Sequence, residues 1–392
     1  MSDKDVSVFL KNAYNAFNDK DYKSAIDYFS EAIKLDPNSA ETYYNRGNAK
    51  ANLDDKKLYK SAIEDYSWAI NLNDKFAAAY YNRGILNRSL GNSKEAIEDF
   101  DKAIELNYNL EEAYYVRGNT KASLKDYKGS IEDYNKAVEV YPHFSDAYYN
   151  MALSYNTLGL YKEAIKAYDK AIEYNSHFAD AYNNRGNVKE KLGYYNEAID
   201  DYTNAIHLNR SFIEAYFNRA NAKFNIKNYK GSVEDFDEII KIDPTYSKAY
   251  YNRGIVKTSM EEYKEAIEDF DKVIELEPQF PDAYYNKAVA INHLGIYDEA
   301  VEFYDKAIEL NPNYAESYCN RAISKSKMAY IRKDKVSSDE YNKLIEEAES
   351  DFEKAYGLAN DSIKEIIKDG IKKLADLNME AAKNFCKKNS IY

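Results

Sequence analysis

The chain has 392 residues, a formal charge of −13, 45% hydrophobic and 31% charged residues, 13 Gly, 6 Pro, and 41 Tyr against 16 Phe and one Trp. Such a composition can bury a core and excludes collagenous, low-complexity and disordered polyelectrolyte chains. The negative balance opposes a general affinity for phosphate backbones or anionic membrane surfaces, both of which need clustered Lys and Arg.

In chain order, the N-terminal MSDKDVSVFLKN meets charge at once and has no apolar core of the kind a leader needs, and no run of 18 apolar residues occurs. Cys319 and Cys386 make neither a disulfide framework nor a CxxC metal site. A soluble, cytoplasmic protein without membrane contact is expected. Residues 1–5 read as a tail. From Val6 onward AYYNRG, KEAI and DKAIEL return every 34 residues, which gives ten repeats: 6–39, 40–76, 77–110, 111–144, 145–178, 179–212, 213–246, 247–280, 281–314 and 315–362. The second carries three extra residues in DDKKLYK, and the tenth about fourteen around IRKDKVSSDEYNKL.

Each repeat reads as two amphipathic helices with a break near positions 14 to 17. Position 8 is Gly or Ala and position 20 Ala or Ser, small enough for close helix approach, while position 24 is always Phe or Tyr, a ring for the gap between hairpins. Five of the six prolines (Pro37, Pro142, Pro244, Pro278 and Pro312) fall at position 32, where the second helix must stop. Position 34 is mostly aromatic, as in Phe76, Phe144, Phe178 and Tyr314, and is expected to pack between neighbours.

Small residues at 8 and 20, a ring at 24, Ala at 27 and Pro at 32 in a 34-residue repeat resemble the tetratricopeptide repeat family. That resemblance implies an all-α, right-handed superhelix of about ten helix-turn-helix repeats whose first helices line a concave groove. The remaining DSIKEIIKDGIKKLADLNMEAAKNFCKK reads as one amphipathic capping helix over 363–388, with Ile363, Ile367, Ile371 and Leu374 on one face, followed by a tail, 389–392. Docking of a partner by this helix is the alternative.

Position 7 is Arg in seven repeats, and in each of them position 23 is Asp: Arg46 with Asp65, Arg83 with Asp99, Arg117 with Asp133, Arg185 with Asp201, Arg219 with Asp235, Arg253 with Asp269, and Arg321 with Asp351. In repeats one, five and nine both change together, to Asn12 with Tyr28, Met151 with Ala167, and Lys287 with Phe303. Position 11 follows, being Lys in six of the seven Arg repeats and Asn87 in the other. Recognition of a ligand carboxylate by Arg is one reading. A structural ion-pair layer is favoured because the partner Asp is already encoded. Whether the pairs lie within or between repeats is open at this level.

The family geometry places positions 2, 5, 6, 9, 12 and 13 of the first helices on the concave side. Position 6 is Asn in Asn45, Asn82, Asn150, Asn184, Asn218, Asn252, Asn286 and Asn320, a recurrence that mid-helix Asn needs a reason for. An amide that donates and accepts suits a peptide backbone. The row is similar to the asparagine ladder of O-linked N-acetylglucosamine transferases, without their catalytic domain; bonding between repeats is the alternative. Tyr44, Tyr81, Tyr115, Tyr149, Tyr251 and Tyr285 at position 5 add aromatic surface with a polar tip, so these residues form the candidate peptide-binding groove. Acids at position 2, among them Glu41, Glu112, Asp146 and Asp282, favour basic residues on the ligand.

The carboxylate clamp of chaperone cochaperones wants Lys at position 5, which no repeat supplies, and Lys at position 2, which only Lys248 supplies; binding of acidic chaperone tails is disfavoured. A nucleic-acid-binding array of the pentatricopeptide kind is opposed by the register and the acidic groove edge. No phosphate loop, paired His or isolated carboxylate pair indicates catalysis, a metal or a cofactor. The expectation is a non-enzymatic scaffold that binds an extended or partly helical peptide in its groove, with a self-associating assembly protein as the alternative.

Overall fold

The computed structural model describes residues 3–53 and 55–391, the side chains of residues 3–5, 362 and 363 excepted. Among them are 22 helices and no strand. They fall into two compact halves, Met1–Tyr194 and Tyr195–Tyr392, whose boundary lies inside the sixth repeat. In the first half the helices are α1 (Asp3–Asn18), α2 (Tyr22–Leu35), α3 (Ala40–Asn52), α4 (Lys56–Leu72), α5 (Ala77–Ser89), α6 (Ser93–Glu105), α7 (Leu110–Ser123), α8 (Tyr127–Val140), α9 (Ser145–Thr157), α10 (Tyr161–Tyr174) and α11 (Ala179–Lys191). The second half holds α12 (Tyr195–Leu208), α13 (Ile213–Asn225), α14 (Tyr229–Ile242), α15 (Ser247–Ser259), α16 (Tyr263–Leu276), α17 (Pro281–His293), α18 (Tyr297–Leu310), α19 (Ala315–Arg332), α20 (Ser338–Leu358), α21 (Asp361–Asp376) and α22 (Glu380–Lys388).

Within each half the helices pair into hairpins, and each second helix also contacts the first helix of the next repeat, as α4 does α5 and α16 does α17. First helices of successive repeats touch as well, α5 with α7 and α7 with α9. Within a hairpin, position 8 is what lets the two helices close. A Cβ added to Gly47, Gly84, Gly118 or Gly254 would stand 2.8 Å from the ring at position 24 of the same repeat, so the ring rests on the helix backbone itself. Those rings, such as Phe29, Phe100, Tyr134 and Phe270, are almost completely buried among alanines. The turn between the two helices puts position 15 in the left-handed region, where Gly91, Gly159, Gly193 and Gly295 sit without strain, whereas Lys20, Lys125, Lys227 and Glu261 adopt it as non-glycine residues.

Three boundaries differ from expectation. The first helix begins at Asp3, so 3–5 are helical and not a tail. Insertions are absorbed as helix: α4 has 17 residues, and α19 and α20 have 18 and 21. The C-terminal segment is two helices where one was expected, because Asn378 turns left-handed (φ 69°) and the amides of Asn378 and Met379 close back on Ala375 and Leu374. Reversal there lets Phe385 and Cys386 of α22 reach Phe352 and Ala355 of α20, while Ile367 and Ile371 of α21 join the same core. Ile363, assigned to that face, lies outside the described side chains.

Candidate functional site

The position-7 arginines bridge both ways. Arg117 donates from Nε and Nη2 to Asp133 of its own repeat at 2.9 and 2.5 Å, and from Nη1 to Asp101 of the preceding repeat at 2.5 Å. Arg253 repeats this with Asp269 and Asp237, and Arg321 with Asp351 and Asp305. Arg46, Arg83 and Arg219 hold Asp65, Asp99 and Asp235 in the same bidentate way, and their third donor goes to Ser30, Ser67 and Thr203. Arg185 reaches Asp169 at 2.6 Å. Each guanidinium also lies over the Tyr three residues earlier, Arg117 over Tyr114 at 5.4 Å and Arg46 over Tyr43 at 5.6 Å. Sequence reading missed this platform and the acceptor at position 25, although the i, i+3 spacing of Tyr and Arg was its signal.

Lys50, Lys121, Lys223 and Lys257 at position 11 add a second cation to the same carboxylates at 2.7 to 2.9 Å. Repeat three has Asn87 instead, and there burial, opposed by Arg83 and Asn87, holds the Asp99 carboxyl above its ordinary range. A folded-state pKa raised above the unfolded one means that stability is present below the unfolded value and is lost as pH rises through the folded value. Asn87→Lys is therefore expected to stabilise repeat three by about 1–2 kcal/mol at neutral pH and by little at pH about 3. NMR titration of the Asp99 carboxyl together with amide exchange at both pH values checks this.

The Asn row is knitted to the preceding repeat. The amide nitrogen of Asn82 donates to Tyr44 Oη at 3.1 Å and to Asn48 Oδ1 at 2.9 Å; that of Asn150 donates to Tyr115 Oη at 3.0 Å and to Asn119 Oδ1 at 2.9 Å. Asn184, Asn286 and Asn320 reach Tyr149, Tyr251 and Tyr285 at 2.8 to 3.0 Å, and Asn45 reaches Tyr14 at 3.0 Å. Asn252 bonds within its own helix, to the Lys248 carbonyl. The position-5 tyrosines so engaged also stack on the linker ring of their own repeat, Tyr44 on Phe76 at 4.7 Å, Tyr149 on Phe178 at 4.6 Å and Tyr285 on Tyr314 at 5.0 Å. Tyr81 packs on Phe100 and Tyr108, and the following repeat has Val116 in place of Asn.

In repeats two and four, where position 9 is Asn and position 24 Tyr, the buried ring completes the chain: Tyr66 donates to Asn48 at 2.9 Å and Tyr134 to Asn119 at 2.8 Å. In repeat five position 9 is Leu153, and the fully buried Tyr168 hydroxyl has no partner among the described residues. Tyr168→Phe is expected to raise stability by about 1 kcal/mol, measured by chemical denaturation, because it removes a desolvated polar group at no loss of packing.

Beside these chains lie two equivalent clefts between successive first helices. One, of about 300 Å³, is lined by Asn48, Tyr59, Tyr66, Asn82 and Leu86. The other, of about 180 Å³, is lined by the corresponding Asn119, Tyr127, Tyr134, Asn150 and Ser154 two repeats on. At the N-terminal edge of the same face, burial holds Glu112 above the usual carboxylate range, and Glu111 and Asp146 add to it.

Neither Cys319 nor His293 sits in a setting that would activate it. Burial, with Glu316 adding, pushes the Cys319 thiol up to about 12. His293 is stacked flat on Tyr263 at 4.8 Å. Among the described residues no group of three or more His, Cys, Asp or Glu is placed to hold a metal ion, and no helix is long and apolar enough to cross a membrane.

No curated protein matches the sequence. Among solved structures, MamA is 28% identical over 44% of this chain and 94% of its own, with a TM-score of 0.42. YrrB, described as a TPR protein with an unusual peptide-binding site, is 24% identical over 47% of this chain and 95% of its own, with a TM-score of 0.43. The C-terminal part of a TPR repeat-containing protein from Cytophaga hutchinsonii is 20% identical over 63% of this chain and 97% of its own; its TM-score of 0.54 shows the fold. Models of the tetratricopeptide repeat match residues 77–107, 111–144, 145–178, 179–212, 213–246, 247–280, 281–314 and 303–346, and a TPR repeat model matches 17–54. With repeats matched along most of its length and hairpins built on the ring at position 24, the chain belongs to the tetratricopeptide repeat family.

Proposed function

We propose that the chain is a non-enzymatic protein-interaction scaffold that holds an extended or partly helical peptide along the face of its first helices. The observation that carries this reading is the pair of equivalent clefts around Tyr66 and Tyr134, each lined by Asn amides, two Tyr rings and aliphatic side chains, recurring two repeats apart. A recurring cleft suits a polymer whose side chains recur too. Tetratricopeptide repeat proteins generally mediate protein contacts, which agrees with it.

In this reading the Asn row has two roles. The amide nitrogens of Asn45, Asn82, Asn150, Asn184, Asn286 and Asn320 tie their repeats to the ones before and stiffen the face, which lowers the entropic cost of binding. In Asn82 and Asn150 the nitrogen carries these bonds, and the side-chain oxygen serves as an acceptor for peptide N–H groups. Ligand preference comes from the edge: a Lys or Arg near Glu112 and Asp146 offsets the burial, and the added Glu111 and Asp146 charges, that hold the Glu112 carboxyl up. Acidic chaperone tails meet the wrong charge there.

Selection of a displayed peptide library on the purified chain tests the reading. Basic peptides are expected, with affinity falling at least tenfold in the Glu112→Gln, Asp146→Asn double variant, whose changes lie on the edge and not in the core. Failure to enrich basic peptides, or binding of them indifferent both to that variant and to Asn82→Ala with Asn150→Ala, would remove the groove proposal.

A further inference from the structure

Repeats one, five and nine lack the Arg/Asp pair, yet the space it occupies is not filled alike. In repeat nine Phe303 stands at position 23, and the Lys287 ammonium lies 3.8 Å from its ring centroid while reaching Asp271 at 2.5 Å. Tyr28 takes position 23 in repeat one. In repeat five that residue is Ala167 and position 7 is Met151, each only 5% exposed, and a cavity of about 240 Å³ opens over them. Half-buried Tyr148 and Tyr155 wall it, and the exposed Lys166, Lys170, Glu163 and Asn135 surround its mouth. Its first-helix residues are positions 4, 7 and 11, a stripe different from the 6, 9, 10 and 13 that line the clefts described above.

We propose that this cavity is a second binding site, which takes an aromatic side chain of a partner protein that carries carboxylates beside the ring. The size fits: the cleft, of about 240 Å³ and open to solvent on one side, leaves room for one ring, where an enclosed cavity of about 150 Å³ holds benzene. The lining fits too: a thioether and two phenol rings favour an aromatic guest over an aliphatic one. The chain itself supplies the precedent, because repeat nine fills the corresponding space with a ring beneath an ammonium. A guanidinium, the occupant in seven repeats, is a poorer match here. The buried carboxylate that would hold it is replaced by Ala167, and two ammoniums stand at the mouth. Lys170 is engaged with Glu173 at 2.7 Å, whereas Lys166 forms no ion pair among the described residues, so it is the cation offered to a flanking acid.

The chain has five methionines, so labelling their methyl carbons gives a spectrum in which Met151 reports on the cavity directly. The probes are the blocked peptides Asp-Glu-Phe-Glu-Asp, Asp-Glu-Ala-Glu-Asp and Lys-Arg-Phe-Arg-Lys. Saturable movement of the Met151 signal is expected with the first and none with the second at equal concentration. Ala167→Phe, which copies Phe303 of repeat nine, is expected to abolish the response while leaving the other methionine signals and the helical content unchanged. Lys166→Glu is expected to weaken binding at least tenfold. A silent Met151 signal up to low-millimolar peptide, an equal response to the Ala peptide, or binding that survives Ala167→Phe would overturn the site. Equal or tighter binding of the basic peptide, or indifference to Lys166→Glu, would overturn its charge preference. None of these changes touches the Asn and Glu residues of the groove proposal, so the two stand or fall separately.

Discussion

Replacing Arg117 by Met is expected to cost about 3–5 kcal/mol of local stability, because Asp133 is only 2% exposed and keeps only Lys121 as a charged partner once the guanidinium is gone. The loss is larger than for a surface pair, where about 0–1 kcal/mol is usual, and it is shared with the preceding repeat through Asp101. Repeat five shows what the fold accepts instead. There the three positions are Met151, Tyr155 and Ala167, an uncharged set that the same hairpin geometry accommodates. Importing that set as Arg117→Met, Lys121→Tyr and Asp133→Ala is therefore expected to recover most of the loss, since a buried ion pair exchanged for apolar residues is often near neutral. Amide exchange in α7 and α8 is the right measurement, because an array of repeats opens locally and a single global unfolding energy does not describe it. A triple variant no more stable than Arg117→Met alone would mean that the co-variation of positions 7, 11 and 23 is not energetic coupling.

Phe385→Ala is expected to release the terminal helices, at a cost of about 3–5 kcal/mol. Phe385 is 2% exposed and meets the rings of Phe352 at 5.9 Å and Tyr356 at 5.8 Å, so it is the largest apolar anchor of α22 on the last hairpin, beside buried Ala381, Ala382 and Cys386. Loss of exchange protection throughout α21 and α22 checks it. The same region decides between a scaffold and a self-associating assembly protein. If the two helices act as a cap, removing residues 361–392 uncovers the core around Phe352 and Ala355 and turns a monomer into aggregates. Ile366 and Leu377, 70% and 64% exposed, are the residues through which the helices themselves would associate. Light scattering that finds an oligomer of the full chain, dissolved by the truncation or by Ile366→Lys, would favour the assembly reading over the scaffold.

Much of the fold was legible in the sequence because its determinants are local. The ring at position 24, the small residue at 8 and the Pro at 32 act within one hairpin, and apolar spacing of three and four residues marks a helix face wherever it occurs. The Arg/Asp layer was legible for a different reason: ten samples of one geometry let Met151 with Ala167 and Lys287 with Phe303 show that positions 7 and 23 change together. The C-terminal reversal was not, since a left-handed Asn378 between two amphipathic stretches leaves the same apolar spacing as an unbroken helix with a flaw.

By itself the sequence determined the 34-residue register, the helix pairs and the joint change of Arg at position 7 with Asp at position 23. Only the tertiary structure decided what passes between repeats. It gave the third guanidinium donor to position 25 of the preceding repeat, and the amides of Asn45, Asn82, Asn150, Asn184, Asn286 and Asn320 to the tyrosines of the repeat before. It also left the Ala167 space open in repeat five, while Lys287 and Phe303 close it in repeat nine. Contacts inside a hairpin follow from helical periodicity, a property of neighbours along the chain. Contacts between hairpins depend on the angle and separation at which they stack, which are set jointly by all the side chains at the interface.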